Sequence, residues 1–175
     1  EGLSRRRRVF WFFWIGMAFL CVALARPQWG WVNLPRFEQA REVILALDLS
    51  KSMLAEDVKP SRLDRSRLLM ENLLDYLRGE RVGLVLFAGT AFTQSPLSAD
   101  YEVLREFLPE LEPSYLPQGG TDYAAMIRTS LEAFNAEEGA EADRYMIILS
   151  DGESLSDDWQ SQVETLKEAG VRVIG

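Results

Sequence analysis

Hydrophobic positions follow two different rhythms along the chain. From Val9 to Ala25 the sequence VFWFFWIGMAFLCVALA carries no charge, and Gly16 is its one strong helix breaker. Its 17 residues lie at the short end of what a helix needs to cross a hydrocarbon core of ~30 Å. Arg5 to Arg8 precede the run directly, and Trp11, Trp14, Trp29 and Trp31 crowd its margins as an interfacial aromatic belt would. This pattern predicts a transmembrane helix over 9–25 behind a basic cytoplasmic flank, 1–8, which puts everything after Pro27 outside. A cleaved signal peptide is the rival reading, because Ala23-Leu24-Ala25 mimics an A-x-A site. The length and bulk of the run favour a retained anchor.

A linker over 26–40 leads to a second rhythm, in which short apolar runs alternate with amphipathic stretches. Val43–Leu47, Val82–Phe87 and Tyr145–Leu149 are continuous β-rich runs, as expected of strands covered on both faces. Ala91–Gln94 reads as a short edge strand, and Val171–Ile174 begins a further one. Between them, Pro60-Ser61-Arg62-Leu63-Asp64 opens a helix with a capping-box-like start. Leu69, Met70, Leu73, Leu74 and Leu77 form its stripe, and Gly79 closes it. Helices are also predicted over Tyr101–Leu108, over Asp122–Phe134 with Tyr123, Ile127, Leu131 and Phe134 aligned, and over Trp159–Ala169 with Trp159, Val163 and Leu166 inward. This alternation predicts an α/β fold with a doubly wound, mostly parallel sheet, Rossmann-like, over 41–175.

Composition narrows the chemistry. With 47% hydrophobic and 26% charged residues the chain can build a packed core. The net charge of −8, with nearly all the acid after residue 37, makes nucleic acid an improbable partner. Histidine is absent, which removes Ser-His-Asp and Cys-His catalysis and most zinc or copper sites. The single cysteine, Cys21, lies in the apolar run, so the chain has no internal disulfide framework. Glu1 at the start and Gly175 directly after an apolar run read as cut ends of a longer protein.

In doubly wound sheets ligands bind beyond the carboxyl ends of the strands. The first strand runs into Asp48-Leu49-Ser50-Lys51-Ser52, and Tyr145–Leu149 runs into Ser150-Asp151-Gly152-Glu153. Pro117-Gln118-Gly119-Gly120-Thr121 delivers a hydroxyl just before a helix. If the two strands are neighbours, Asp48 and Asp151 face each other, with Ser50, Ser52 and Thr121 around them. Alternation in D-x-S-x-S lets Asp48, Ser50 and Ser52 converge while Leu49 turns into the core. Carboxylates and hydroxyls without nitrogen or sulfur suit a hard cation such as Mg²⁺, Mn²⁺ or Ca²⁺. The bland reading makes Asp48 a turn cap, the serines helix caps and Gly119-Gly120 a flexible turn. Glu56-Asp57 and Asp157-Asp158 read as helix-start acids on solvated faces. No phosphate-loop motif occurs.

These residues resemble the von Willebrand factor A (VWA) family, whose metal-ion-dependent adhesion site reads D-x-S-x-S, a distant Thr and a distant Asp. Asp48, Ser50, Ser52, Thr121 and Asp151 match all five in order. Ala25-Arg26-Pro27-Gln28, Ser52-Met53-Leu54-Ala55-Glu56-Asp57 and Pro60-Ser61-Arg62-Leu63 look like bacterial Bat-type, aerotolerance-related membrane proteins. The resemblance implies that Asp48 orients the site, that Ser50, Ser52 and Thr121 coordinate directly, and that Asp151 acts through water. It implies an open coordination position filled by a partner's acidic side chain. It further implies an inner-membrane protein with its VWA domain on the periplasmic side, other VWA membrane proteins and a MoxR-type ATPase as partners, and a role in aerotolerance. Two departures stand out: Lys51 occupies a position that is glycine in many VWA domains, and the chain stops before the last strand and helix of such a fold.

The expected function is therefore non-catalytic, cation-dependent protein binding. One alternative is a Mg²⁺-dependent phosphatase-like hydrolase with Asp48 as nucleophile, although its D-x-D motif wants an aspartate where Ser50 stands. The other is a metal-free structural membrane subunit.

Overall fold

A computed structural model describes residues 2–24, 41–136, 142–153 and 159–175, with side chains before residue 25 described from Phe10 to Cys21 and at Leu24. The chain divides into two compact units, Glu1–Arg36 and Phe37–Gly175. In the first, helix α1 (Gly2–Leu24) runs through both the predicted basic flank and the apolar stretch. Phe10 to Phe13, Trp14 and Phe19 are exposed, so over residues 10–21 the helix is apolar on every face. Among the described residues no helix is long and apolar enough to cross a membrane. Ala25 and the linker 26–40 lie outside the described residues, as do Asp157 and Asp158.

The second unit is built on a five-stranded sheet in the order β3-β2-β1-β4-β5. Its strands are β1 (Glu42–Asp48), β2 (Arg81–Phe87), β3 (Ala91–Ser98), β4 (Arg144–Leu149) and β5 (Val171–Ile174). β1 pairs in parallel with β2 and β4, and β4 with β5; β2 and β3 pair antiparallel. The three residues Ala88-Gly89-Thr90 are too short for a crossover, so only a hairpin can join β2 to β3. β3 runs past its predicted end at Gln94, through Pro96. An edge strand tolerates that proline because its outer side needs no ladder donor.

Side chains of the central strands alternate between two cores. Val43, Leu45 and Leu47 with Val82, Leu84 and Leu86 face helices α2 (Arg62–Tyr76) and α3 (Glu102–Phe107). Ile44, Ala46, Val85 and Phe87 face α4 (Tyr123–Asn135) and α5 (Gln160–Glu168). Helices on both faces make the sheet doubly wound, as predicted. Leu49 is buried in the first core, so the residue between Asp48 and Ser50 turns inward as the alternation requires.

One helical face differs from expectation. Leu63, Met70 and Leu74 form the buried stripe of α2, whereas Leu69 is exposed, since 63, 70 and 74 already complete one face of a 3.6-residue period. On α4, Ile127, Leu131 and Phe134 are buried as predicted, and Tyr123 packs its ring against the same core beside Phe87 while its hydroxyl meets the end of β4. Trp159 and Val163, predicted inward, line an apolar cleft of about 520 Å³ with Tyr123, Met146, Leu166 and Val173.

Candidate functional site

Parallel register brings the carboxyl ends of β1 and β4 together. Leu47 pairs with Leu149, so Asp48 and the Ser150-Asp151 pair leave the sheet side by side. Asp48 is fully buried, and both of its oxygens are engaged. The Ser50 amide donates to Oδ1 at 2.7 Å and the Ser150 hydroxyl donates to Oδ2 at 2.7 Å. Because the Ser150 proton is spent on Asp48, the Tyr123 hydroxyl, 2.7 Å away, must donate to Ser150 Oγ, as the Gly152 amide does at 3.2 Å. Ser150 is thereby saturated and serves as a bracket for Asp48. Burial pushes the Asp48 carboxyl above its ordinary value, against the pull of the Ser150 and Ser50 donors, and the nearby Asp151 charge adds to the rise.

Past Asp48 the chain enters a 3₁₀ turn, Lys51–Leu54, whose Met53 amide bonds the Ser50 carbonyl. The turn places Ser50 Oγ 2.9 Å from Ser52 Oγ, and the Ser52 hydroxyl in turn bonds Asp151. Asp48, Ser50, Ser52 and Asp151 therefore form one connected row, joined at Asp48 through the Ser50 amide and beyond it through the two serine hydroxyls. Lys51 is exposed at the start of this turn.

Asp151 has a nearly buried side chain that accepts from Arg62 Nη1 at 2.9 Å and from the Glu153 amide at 3.2 Å. Burial alone would raise its carboxyl, but the Ser52 hydroxyl, the Glu153 amide and the Arg62 charge outweigh it and hold the group below its ordinary value. Thr121 is buried and reaches the same end of the sheet through backbone contacts of its loop. The Gly89 amide donates to the Gln118 carbonyl at 3.2 Å and the Asp122 amide to the Ala88 carbonyl at 2.7 Å. Asp122 then caps α4 by accepting from the Ala125 amide.

Four of the five predicted residues thus meet in one hydrogen-bonded row, and Thr121 is carried to the same sheet edge. Sequence reasoning missed three residues that build the site: Ser150, Tyr123 and Arg62. Ser150 stood next to a predicted ligand, and its hydroxyl type was the available signal. Asp57, read as a solvated acid, is exposed but grips Arg62. Among the described residues no group of three or more His, Cys, Asp or Glu side chains is placed to hold a metal ion. A cation here would therefore have to rely on the serine and threonine hydroxyls beside two carboxylates. That donor set is all oxygen, which fits a hard cation and excludes a soft one.

A doubly wound sheet with this oxygen row at the ends of its first and fourth strands defines a class: the chain belongs to the von Willebrand factor type A domain family, which it matches over residues 43–153. Within that family it is related to the Bat proteins. It is 38% identical to BatB from Bacteroides thetaiotaomicron, with a TM-score of 0.71 over 77% of this chain and 64% of that one. It is 36% identical to an aerotolerance-related membrane protein from Bacteroides fragilis, with a TM-score of 0.70 over 77% of this chain and 65% of the other. A UPF0353 protein of Mycolicibacterium paratuberculosis is 29% identical over 143 residues, which are 79% of this chain and 41% of the relative. The chain thus spans less than half of that curated relative and just under two thirds of the two Bacteroides structures.

Proposed function

We propose that the domain holds a divalent cation, Mg²⁺ or alternatively Mn²⁺ or Ca²⁺, at Asp48, Ser50, Ser52, Thr121 and Asp151 and uses it to bind another protein. The observation that carries this reading is the connected row from Asp48 through the two serine hydroxyls to Asp151. A bound cation supplies a concentrated positive charge to which a partner's acidic side chain can attach. The chain's own contribution is to hold the oxygens in place: Ser150 and the Ser50 amide fix Asp48, and Tyr123 fixes Ser150. A nucleophilic role for Asp48 is disfavoured, because it is fully buried and both oxygens already accept hydrogen bonds. This supports a non-enzymatic module.

Although no described helix is long and apolar enough to cross a membrane, the apolar surface that α1 presents on every face over residues 10–21 supports an anchor in the inner membrane with the domain on its extracytoplasmic side. The arginine cluster Arg5–Arg8 supports that orientation. Likeness to an aerotolerance-related membrane protein supports a role in oxygen tolerance. Partners among other VWA membrane proteins and a MoxR-type ATPase system are part of the same proposal and rest on the resemblance of the sequence motifs to Bat-type proteins alone.

Asp48→Asn is the decisive variant, because the amide can still accept from the Ser50 N–H and can donate to Ser150 Oγ once Ser150 turns its own proton to the Tyr123 hydroxyl oxygen. Calorimetric titration of Mg²⁺ should show affinity falling about 10–100-fold, while the cation-free protein melts no lower than wild type. Because burial raises the folded-state value of Asp48, its ionised form opposes folding. That opposition is absent below the ordinary value and complete above the raised one, so any gain of the variant over wild type should grow as pH rises through the acid range. Unchanged Mg²⁺ affinity, or a folded wild type that binds no divalent cation, would move the structural-subunit reading forward.

A further inference from the structure

The oxygen row ends on a cation that the chain supplies itself. Arg62, the first residue of α2, bridges two carboxylates of opposite exposure. Its Nη1 donates to Asp151 Oδ2 at 2.9 Å, while Nε and Nη2 reach Asp57 at 2.9 and 2.8 Å. The Asp151 side chain is 3% exposed and that of Asp57 is 54% exposed, so the guanidinium links the site to the surface. The Arg62 backbone is fixed by its amide, which donates to the Ala55 carbonyl at 3.1 Å, just beyond the serine turn. With Asp48 held by Ser50 and Ser150, each carboxylate oxygen of the row has a donor within the domain. The row is satisfied without any external ion.

We infer that Arg62 is a built-in counter-ion, which a divalent cation displaces from Asp151 and which Asp57 retains when that happens. The inference rests on the cation-binding reading of the site. A guanidinium at hydrogen-bond distance and a divalent cation repel each other on one nearly buried carboxylate, where the effective dielectric is low. Arginine suits the exchange because its fork can keep Nε and Nη2 on one carboxylate while Nη1 leaves another. By reciprocity, Arg62 weakens the cation by the same factor that the cation weakens the hold of Arg62 on Asp151. Arg62 is thus a positioning residue that sets the cation affinity of the site and ties its occupancy to the start of α2.

The test compares the full chain in detergent as wild type, Asp48→Asn, Arg62→Gln and Arg65→Gln, by Mg²⁺ calorimetry and by thermal melting in EDTA and in saturating Mg²⁺. Arg65 is exposed on the same helix and controls for the loss of one positive charge. Arg62→Gln should bind Mg²⁺ roughly tenfold more tightly, with Arg65→Gln close to wild type. Arg62→Gln should also melt below wild type in EDTA, with the gap narrowing in Mg²⁺. Equal or weaker Mg²⁺ binding by folded Arg62→Gln, or a melting deficit that Mg²⁺ leaves unchanged, overturns the inference. If wild-type binding disappears in Asp48→Asn while Arg62→Gln matches wild type, the cation site stands and the counter-ion role fails. Absence of binding in both wild type and Arg62→Gln rejects both; binding by Arg62→Gln alone supports the counter-ion role most strongly. Should Arg62→Gln not fold, Asp57→Asn probes the exposed end of the bridge. Several-fold weaker Mg²⁺ binding supports Asp57 as the retaining group, and unchanged binding overturns it.

Discussion

Replacing Glu42 with glutamine is expected to lower the stability of the domain by about 3–5 kcal/mol, read as a shift of the denaturant midpoint. Glu42 opens β1 and is almost completely buried, yet it carries a carboxylate. The parallel register pairs it with Arg81 on one side and Arg144 on the other, so three ionic side chains form one row across the central strands. Arg81 Nη1 lies 3.2 Å from Oε1 and Arg144 Nε lies 3.3 Å from Oε2. Arg144 is further held by the Asn135 side chain and the Phe134 carbonyl, with its guanidinium over the Phe134 ring. An isosteric amide would leave these two half-buried guanidinium groups facing a neutral partner in a packed wall, and neither can move away without giving up its other contacts. Replacing Glu42, Arg81 and Arg144 together by methionine should recover most of the loss, because the whole cost of desolvating the ions then disappears. A midpoint shift in Glu42→Gln worth less than about 0.5 kcal/mol, the range of ordinary surface substitutions, would show that the row is solvated in solution. The row lies at the amino ends of its strands, away from Asp48, so Mg²⁺ affinity should not change.

This row illustrates what the sequence hides. The core of the fold was legible because Val43–Leu47, Val82–Phe87 and Tyr145–Leu149 are apolar without interruption, and such runs can only be strands covered on both faces. The placement of the predicted site residues was legible for the same reason: each follows one of those apolar runs or lies just before α4. Register was not legible, since no local pattern says which residues of two parallel strands lie opposite each other. Once β1 lies beside β4, however, Ser150 must reach Asp48, and Tyr123 must meet Ser150 from the first turn of α4. Arg62 is separated from Asp151 by 89 positions, and in the sequence it reads only as part of a helix start. β3 was legible as an edge strand, but its extent was underestimated, because a proline usually ends a strand and only an edge accommodates one such as Pro96 inside it.

The close approach of two loops at the site is equally silent in the sequence, and Gly89→Ala should expose it. A Cβ at Gly89 would lie 2.3 Å from the Gly119 carbonyl oxygen and 3.2 Å from that of Gln118. Both obstacles are backbone, so a turn of a flexible side chain cannot relieve the clash. The loop would have to retreat, stretching the Gly89-to-Gln118 and Asp122-to-Ala88 hydrogen bonds that dock it against the end of β2. Thr121 lies inside that loop and would retreat with it. Overpacking of this kind costs about 1–3 kcal/mol. If Thr121 is a ligand, the loss of Mg²⁺ affinity should exceed what the stability loss alone explains, about tenfold or more for one displaced ligand. The neighbouring glycines provide the contrast. Gly119 has open space around its Cβ position and should accept alanine with little effect. Gly120, at φ +108°, holds a backbone conformation that disfavours a side chain, so alanine there should cost about 1–3 kcal/mol through strain. Chemical denaturation and Mg²⁺ calorimetry on the three variants separate the effects. If Gly89→Ala binds Mg²⁺ as wild type does, the site does not depend on the position of Thr121, and the ligand set shrinks to the row from Asp48 to Asp151.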